Sequence, residues 1–359
     1  MSSDRWKNIP SGKVLICYNE PTRYYSNYLG KEISDEEQNN DLSEREFLKQ
    51  IANIKKILQK KYAAVETLAV NSDIRSAIKK ITAFSPDVIL NFVESVEGNS
   101  NLESYIAGVY DLLGIPFTGN NAITLGNCLV KSKTKQILQS HGLRTPRHLI
   151  LQPNQFVSRE EFNLNFPVIL KLAREDASIG ISEFSVVKNH DSLTERLTYL
   201  YTTYNQEVIA EEYIEGRELN VAILGGQVLP ISEIRFDGLP DDLPKIITYE
   251  AKWSPDSVYY KHTNPKCPAE LDEATKQKIE KMALEAYDAL DCRDYVRVDV
   301  RLTGKNVPYI IEVNPNPDIS PDAGFIRSAA AAGITYEALL HSLTNFALER
   351  LHYDTQVAV

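Results

Sequence analysis

The sequence predicts an α/β protein whose carboxyl-terminal part is α+β, and three observations carry that prediction. Its first third alternates short apolar runs with amphipathic helices, the strand–helix–strand order of a parallel layer. Its middle holds apolar strands separated by a small-residue loop. Near its end two strands, one face apolar and the other charged, are joined by a tight turn.

The elements follow in order. Val14–Tyr18 is an apolar run suited to a strand covered on both faces. Phe47, Ile51, Ile54, Ile57 and Leu58 recur at helical spacing with lysines between them. Val65–Val70 reads as a second strand, Ile74, Ala77, Ile78 and Ile81 as the stripe of a second helix, and Asp87–Val93 as a third strand. A long polar loop, residues 19–41, separates the first strand from the first helix, and its length marks it as functional or mobile. Gly114–Gly119 closes this unit. Beyond it the pattern predicts a helix over Lys131–Ser140, strands over 167–172 and 181–187, a helix over 192–201 and a strand over 208–214. A strand over 219–224, a Pro/Asp/Gly-rich excursion over 237–268 and a helix ending near Leu290 come next. Strands over 295–302 and 308–313 and a terminal helix complete the chain. No internal repeat is visible.

At 359 residues the chain can form two or three domains, and 43% apolar with 25% charged residues is ordinary globular composition. The polar start, Met1–Pro10, lacks an apolar leader core, and no run reaches the roughly 20 apolar residues of a membrane span. Cys17, Cys128, Cys267 and Cys292 are isolated, without CxxC spacing, which fits reduced thiols in a cytoplasmic protein. A net charge of −10 without a basic stripe argues against nucleic acid. A phosphate-bearing ligand would need a local cluster of cations.

Three places could hold such chemistry. In the strand 295–302, Val296, Val298, Val300 and Leu302 take one face and Arg297, Asp299 and Arg301 the other. The returning strand puts Glu312 and Asn314 on one face, so the hairpin can gather Asp299, Glu312 and Asn314. Two carboxylates and an amide oxygen suit Mg²⁺, although a solvated hairpin with a charged face would show the same alternation. Lys171 ends an apolar strand before the loop Arg174–Gly180; an anion could meet it there, or it could reach out to water. Glu211–Glu218 joins two strands and could read an adenine and a ribose, or be an acidic connector.

Together these pieces resemble the ATP-grasp superfamily, and within it the D-alanine–D-alanine ligase group, over nearly all of the chain after about Asp87. Phe166–Ile181 is similar to the family's strand and phosphate-covering loop, and Glu211–Gly225 to its adenine hinge. Tyr249–Lys252 matches the YEAK element of a mobile loop, Arg297–Asp299 the RxD element and Glu312–Asn314 the ExN element. Five short matches in order are far more specific than one.

The resemblance implies a three-domain fold: an amino-terminal α/β substrate domain (1–118), a central ATP-grasp subdomain (119–214) and a carboxyl-terminal metal-binding domain (215–359). It implies a ligase joining the carboxylate of one amino-acid-like substrate to the amine of another through an acyl phosphate, with release of ADP and phosphate. ATP would be held by Lys131, Lys171, Ser178, Glu211, Glu212, Tyr213, Ile214 and Glu218. Lys252 would reach the γ-phosphate, and Arg297 would face the developing oxyanion. Asp299, Glu312 and Asn314 would bind two Mg²⁺ ions, with Mn²⁺ as a substitute. Glu94, Tyr249, Trp253 and Asp318 would line the substrate pocket. Partners would be small molecules alone, with homodimers common among such ligases.

Departures from the family gather at the substrate end. Cys17–Tyr25 lacks the Gly-rich segment with its glutamate, and Glu94 stands near the place of a histidine. Trp253 replaces a tyrosine, Ala323 stands where a carboxylate-binding serine is expected, and Asp176–Ala177 replaces Gly-Ser in the phosphate loop. These changes predict a different substrate pair from two D-alanines. The alternatives are a true D-alanine–D-alanine ligase with diverged pockets and an inactive nucleotide-binding homologue; retention of Lys252, Arg297 and the metal set argues against the latter.

Overall fold

The computed structural model describes residues 12–21, 42–175, 178–321 and 323–357. Met1–Pro10, most of the 19–41 loop and Asp176–Ala177 lie outside them. The first sheet is parallel, in the order β2 (Ala64–Val70), β1 (Lys13–Asn19), β3 (Val88–Phe92). Alternate residues of β1 serve different cores. Val14 and Ile16 pack with Ile51, Ile54 and Leu58 of α1 (Leu42–Leu58), while Leu15 and Cys17 pack with Ala77 and Ile81 of α2 (Ile74–Phe84). Helices on both faces explain the unbroken apolar run of β1. The Gly114–Gly119 segment runs beside β3, with Ile89 N–H donating to Pro116 O and Thr118 N–H to Ile89 O. Two helices that the sequence pattern did not mark follow β3: α3 (Glu103–Leu112) and α4 (Ala122–Leu129), the latter capped by Asn121.

After α5 (Lys131–Ser140) comes an antiparallel sheet in the order β4 (His148–Leu151), β7 (Val208–Glu212), β5 (Val168–Leu172), β6 (Val186–Val187). The strand expected over 181–187 shrinks to two residues. Ser185 Oγ accepts from Ser182 N–H and from Arg196, and this side-chain bonding winds Glu183–Ser185 into a 3₁₀ turn. The following helix, α6 (His190–Tyr204), starts before the expected Ser192 because Asn189 and Ser192 form a capping box.

The third sheet is antiparallel, ordered β11 (Asn264–Lys266), β10 (Ser232–Arg235), β8 (Arg217–Leu224), β12 (Tyr295–Leu302), β13 (Pro308–Asn314), with β9 (Gln227–Val228) beside β8. Its apolar face, Leu219, Val221, Ile223 and Val296 through Leu302 at alternate positions, packs on Ile279, Met282, Ala283 and Ala286 of α9 (Glu273–Ala289). The Pro/Asp/Gly-rich excursion holds α7 (Tyr249–Trp253) and α8 (Val258–His262), and its Leu239, Ile246, Ala251 and Tyr259 pack on Ile169 and Ile181.

Two terminal helices, α10 (Gly324–Ala331) and α11 (Tyr336–Val357), join the first sheet to the third. Leu339, Leu340, Leu343 and Ala347 share one core with Val14, Leu90, Ala222, Tyr295 and Phe325. Arg350 adds a polar tie: it pairs with buried Asp294 and donates to Phe117 O at 2.6 Å, while Gly119 N–H donates to Asp294 at 2.8 Å.

Gly216 turns β7 into β8 at φ 148°, and a Cβ there would lie 2.1 Å from Leu302 O. That oxygen belongs to a central strand and cannot withdraw. Gly216→Ala is therefore expected to cost at least about 2 kcal/mol, the scale of overpacking plus backbone strain. Urea unfolding with both proteins at wild-type stability would refute it.

Candidate active site

The polar hairpin is built by register. Arg297 opposes Asn314 and Asp299 opposes Glu312; then a bulge intervenes, and Val300 opposes Ile310. Strict alternation would have put Ile310 on the same face as Glu312. The extra residue, Ile311, reverses that, so Ile310 reaches the core while Glu312 and Asn314 stay on the charged face with Asp299.

Asp299 is nearly buried and collects four hydrogen bonds. Arg297 donates Nε to Oδ1 at 2.8 Å and Nη2 to Oδ2 at 2.9 Å; Asn220 and Asn314 donate their Nδ2 groups at 2.7 and 2.9 Å. Burial works against the Arg297 charge, yet Asp299 and Glu312 outweigh it and hold the guanidinium protonated. Glu312 lies 3.0 Å from Lys131 Nζ. Burial opposes its ionisation, but Lys131, Lys171 and Arg297 keep its carboxyl well below the usual range.

Beside the hairpin lies a cluster centred on Glu211 of β7. Its two oxygens meet Lys135 Nζ at 3.0 Å and Lys171 Nζ at 3.1 Å. Lys135 also donates to Ile311 O, the carbonyl of the bulge residue, at 3.2 Å, and Lys131 donates to Glu175 O at 2.7 Å. Lys131 and Lys171 were singled out in the sequence; Lys135 was not. Its signal was its position four residues after Lys131, one turn along the same face of α5.

The remaining expected residues are distributed unevenly. Glu218 is buried and pairs with Arg301 at 2.9 Å. Burial pushes its carboxyl up; Arg301 lowers it, and Lys171 and Lys252 add smaller lowering effects. Tyr213 lies under the Arg301 guanidinium, 5.4 Å from ring centre to carbon, and donates to Lys245 O at 3.2 Å. Ile214 is the next residue of the same half-buried hinge. Glu212 faces away from Glu211: it bonds Arg147 at 3.1 Å and the Asn165 side chain at 2.8 Å, so the structure does not bring it to the cluster. Ser178 adopts φ 64° in the turn before Ile181. Tyr249 N–H donates to Ile181 O at 3.1 Å, which sets α7 and Lys252 against that turn. Trp253 ends α7, and its side chain lies outside the described residues.

At the substrate end Glu94 and Asp318 are both exposed, on the segments after β3 and β13. Between them Tyr295 bonds Asn316, which donates to Glu103 at 3.1 Å. The Tyr295 hydroxyl is pushed far up, first by burial and then by the charges of Glu94, Asp294, Glu103 and Asp318. Ala323 caps α10 without a side-chain hydrogen bond.

Glu211, Glu312 and Asp299 are held by the lysines and Arg297 through ion pairs. Among the described residues no group of three or more His, Cys, Asp or Glu gathers at one point. The set here is two carboxylates and the Asn314 amide, which suits Mg²⁺ sharing its sites with phosphate and water. Among the described residues no helix is long and apolar enough to cross a membrane.

Replacing Glu211 tests the cluster. Burial raises its pKa, but Lys135 and Lys171 together bring it down to about 2. A carboxyl held below its usual value of 4.5 stabilises the fold above that pH, and the contribution is lost as pH falls towards 2. Glu211→Gln should lose about 3–5 kcal/mol at neutral pH, because buried Lys135 then lacks its counter-charge. Its melting-temperature gap from wild type should narrow below pH 4.5; a gap constant down to pH about 3 would contradict the assignment.

Known proteins resemble this chain in sequence and fold. The sequence profile described as D-ala D-ala ligase C-terminus matches residues 137–345. A D-alanine–D-alanine ligase of Nitrosospira multiformis is 31% identical over 253 residues, 70% of this chain and 78% of that protein. An uncharacterized protein of Sinorhizobium fredii is 28% identical over 268 residues, 73% of this chain and 75% of its own. The crystal structure of D-alanine–D-alanine ligase from Bacillus anthracis complexed with ATP superimposes with a TM-score of 0.70 at 26% identity, covering 96% of this chain and 99% of that one.

Proposed function

We propose a substrate class and a mechanism on one premise: the chain belongs to the D-alanine–D-alanine ligase family of ATP-grasp enzymes and is an ATP-dependent carboxylate–amine ligase. It joins the carboxylate of one amino-acid-like substrate to the amine of another, and the pair is not two D-alanines. Residues 1–118 form the substrate domain, and 119–214 and 215–359 the two halves that grasp ATP.

The observation that carries this reading is a contrast within one site. The charged machinery around Asp299, Glu312 and Glu211 is complete, while the substrate end carries exposed carboxylates at Glu94 and Asp318 and an alanine at the α10 cap. Lys131, Lys171, Lys252 and the Ser178 turn would hold the nucleotide phosphates. Tyr213, Ile214 and Glu218 would hold the nucleoside, and Glu211 would fix the lysines behind it. Glu212 and Tyr213 already donate their N–H groups to Arg147 O and Pro167 O, so the base is read by other groups of the hinge. Asp299, Glu312 and Asn314 would hold two Mg²⁺ ions, which neutralise phosphate charge when bound.

In the first step a substrate carboxylate oxygen bonds to the γ-phosphorus, the bond to ADP breaks, and an acyl phosphate results. The amine of the second substrate then attacks the acyl carbon. Arg297, locked by Asp299 through Nε and Nη2, offers Nη1 to the oxyanion of the tetrahedral intermediate. Phosphate departs with the C–O bond pair, and the amine nitrogen gives up a proton. The 237–268 excursion, packed over Ile169 and Ile181, shields the acyl phosphate from water.

D-alanine separates this reading from its rivals. Loss of a charge-assisted hydrogen bond costs about 1.5–3 kcal/mol, and two such losses lower specificity by about two orders of magnitude or more. Purified protein with millimolar D-alanine, ATP and Mg²⁺ should therefore form little dipeptide, whereas its own substrates should yield ADP and phosphate rather than AMP and pyrophosphate. Robust D-alanyl-D-alanine formation would return the chain to the ordinary activity of its relatives.

The metal assignment has its own test. Glu312→Gln keeps a hydrogen-bond acceptor for Lys131 but removes the charge, so the fold should survive while ATP turnover falls by about two orders of magnitude or more. Circular dichroism and ADP release measure the two separately. Turnover near wild type at ordinary Mg²⁺ would remove Glu312 from the metal set.

A further inference from the structure

Arg301 is buried on a central strand, and none of the bond-making steps above uses its charge. It stands on β12, on the same charged face as Asp299, with 4% exposure. A guanidinium so deeply placed needs acceptors for its N–H groups. It finds them on two separate stretches of chain. From β8 and the turn before it, Glu218 Oε2 lies 2.9 Å from Nη2, and Gly216 O accepts from Nη1 at 3.1 Å. From the 237–268 excursion, Lys245 O accepts from Nη2. The Tyr213 ring lies 5.4 Å from the guanidinium carbon, and its hydroxyl donates to the same Lys245 O at 3.2 Å.

Lys245 is the root from which the rest of the excursion folds. Just beyond it Ile246 and Ala251 pack with Ile169 and Ile181, and Tyr249 N–H donates to Ile181 O at 3.1 Å. Tyr259 of α8 donates its hydroxyl to Pro244 O at 3.1 Å, so α8 folds back onto the same root. Electrostatics link this segment to the carboxylate that Arg301 holds. Burial pushes the Glu218 carboxyl up, and Arg301 is the strongest influence against it. Lys252 of α7 also lowers it, so the lysine of the excursion is within electrostatic reach of Glu218.

One planar group therefore fixes Glu218 and the root of the excursion together. The fork of an arginine serves acceptors on two sides at once, which the single ammonium of a lysine does less well. We propose that Arg301 is a positioning residue that joins nucleoside binding to closure of the 237–268 excursion, holding Glu218 for the ribose hydroxyls and Lys245 O for the closed cover. A nucleotide that orders Glu218 thereby orders Arg301 and the root of the excursion, and the two events share one coupling free energy. The proposal rests on the ligase reading above, in which Glu218 meets the ribose and the excursion covers the site. An ion pair that only stabilised the fold would change the melting temperature and leave closure intact.

The experiment uses the whole protein with Mg²⁺ and AMP-PNP, a non-hydrolysable ATP analogue. Titration calorimetry gives its Kd, and hydrogen–deuterium exchange reads the amides of residues 237–268 with and without saturating analogue. In wild type the analogue should slow exchange there by about tenfold or more. Glu218→Gln still offers Arg301 an acceptor, so it should weaken binding by about tenfold yet keep the slowing at saturation. Arg301→Met should weaken binding by about tenfold or more and leave exchange at saturation within about threefold of the ligand-free rate. Arg301→Lys should recover part of the slowing. Circular dichroism checks the fold; if a buried Glu218 left unpaired unfolds Arg301→Met, the double variant with Glu218→Gln removes both charges and should show the same loss. Wild type that binds the analogue without slowed exchange, or full slowing in either Arg301→Met protein, overturns the proposal and leaves the ligase reading standing. No binding of the analogue by wild type overturns both.

Discussion

The buried pairing of Glu211 with Lys135 and Lys171 is the constraint from which the site takes its shape. A carboxylate with 1% exposure is tolerated only when cations and hydrogen bonds replace its water. Here the cations come from different elements: Lys171 from β5, Lys135 from α5. Lys135 then reaches the carbonyl of Ile311, which the bulge in β13 turns out of the strand ladder. One ammonium group thus ties the four-stranded sheet to the hairpin of the third sheet. One turn earlier on α5, Lys131 makes the second tie, to Glu312 and Glu175 O. Three lysines against two glutamates leave local positive charge in a chain whose net charge is −10. Such an excess is what phosphate requires.

The geometry also separates two charged groupings along β12, β13 and the segments that follow β3 and β13. Asp299 is held by Arg297, Asn220 and Asn314, so its carboxylate is oriented by its own neighbours. Preorganisation of this kind matters most where charge develops during reaction. The segments after β3 and β13 are arranged differently, with Glu94 and Asp318 exposed and their charges acting on buried Tyr295, which bonds Asn316.

Relative placement of the two ends depends on packing rather than on the site itself. α11 shares one core with the first sheet and with Tyr295 and Phe325, and Arg350 clamps Asp294 to the segment beside β3. The end of β3, where Glu94 emerges, is therefore fixed against the hairpin. Close packing of this kind transmits position, because side chains in such a core cannot shift singly.

The sequence by itself determined the layers and the family to which its motifs belong. Apolar runs such as Val14–Tyr18 and the alternation of 295–302 are local patterns, set by burial on one face or two, and they were legible without the fold. The matches at Arg297–Asp299 and Glu312–Asn314 likewise stood in order along the chain. Tertiary structure alone decided the rest. The bulge at Ile311 inverts the face of Ile310, which strict alternation misplaces. Lys135 gained its partners only when α5 met β7 and β13, and Glu212, a neighbour of Glu211 in sequence, turned to Arg147 because successive residues of a strand face opposite ways. Contacts across elements depend on how sheets and helices are stacked, and no spacing along one strand or helix encodes that.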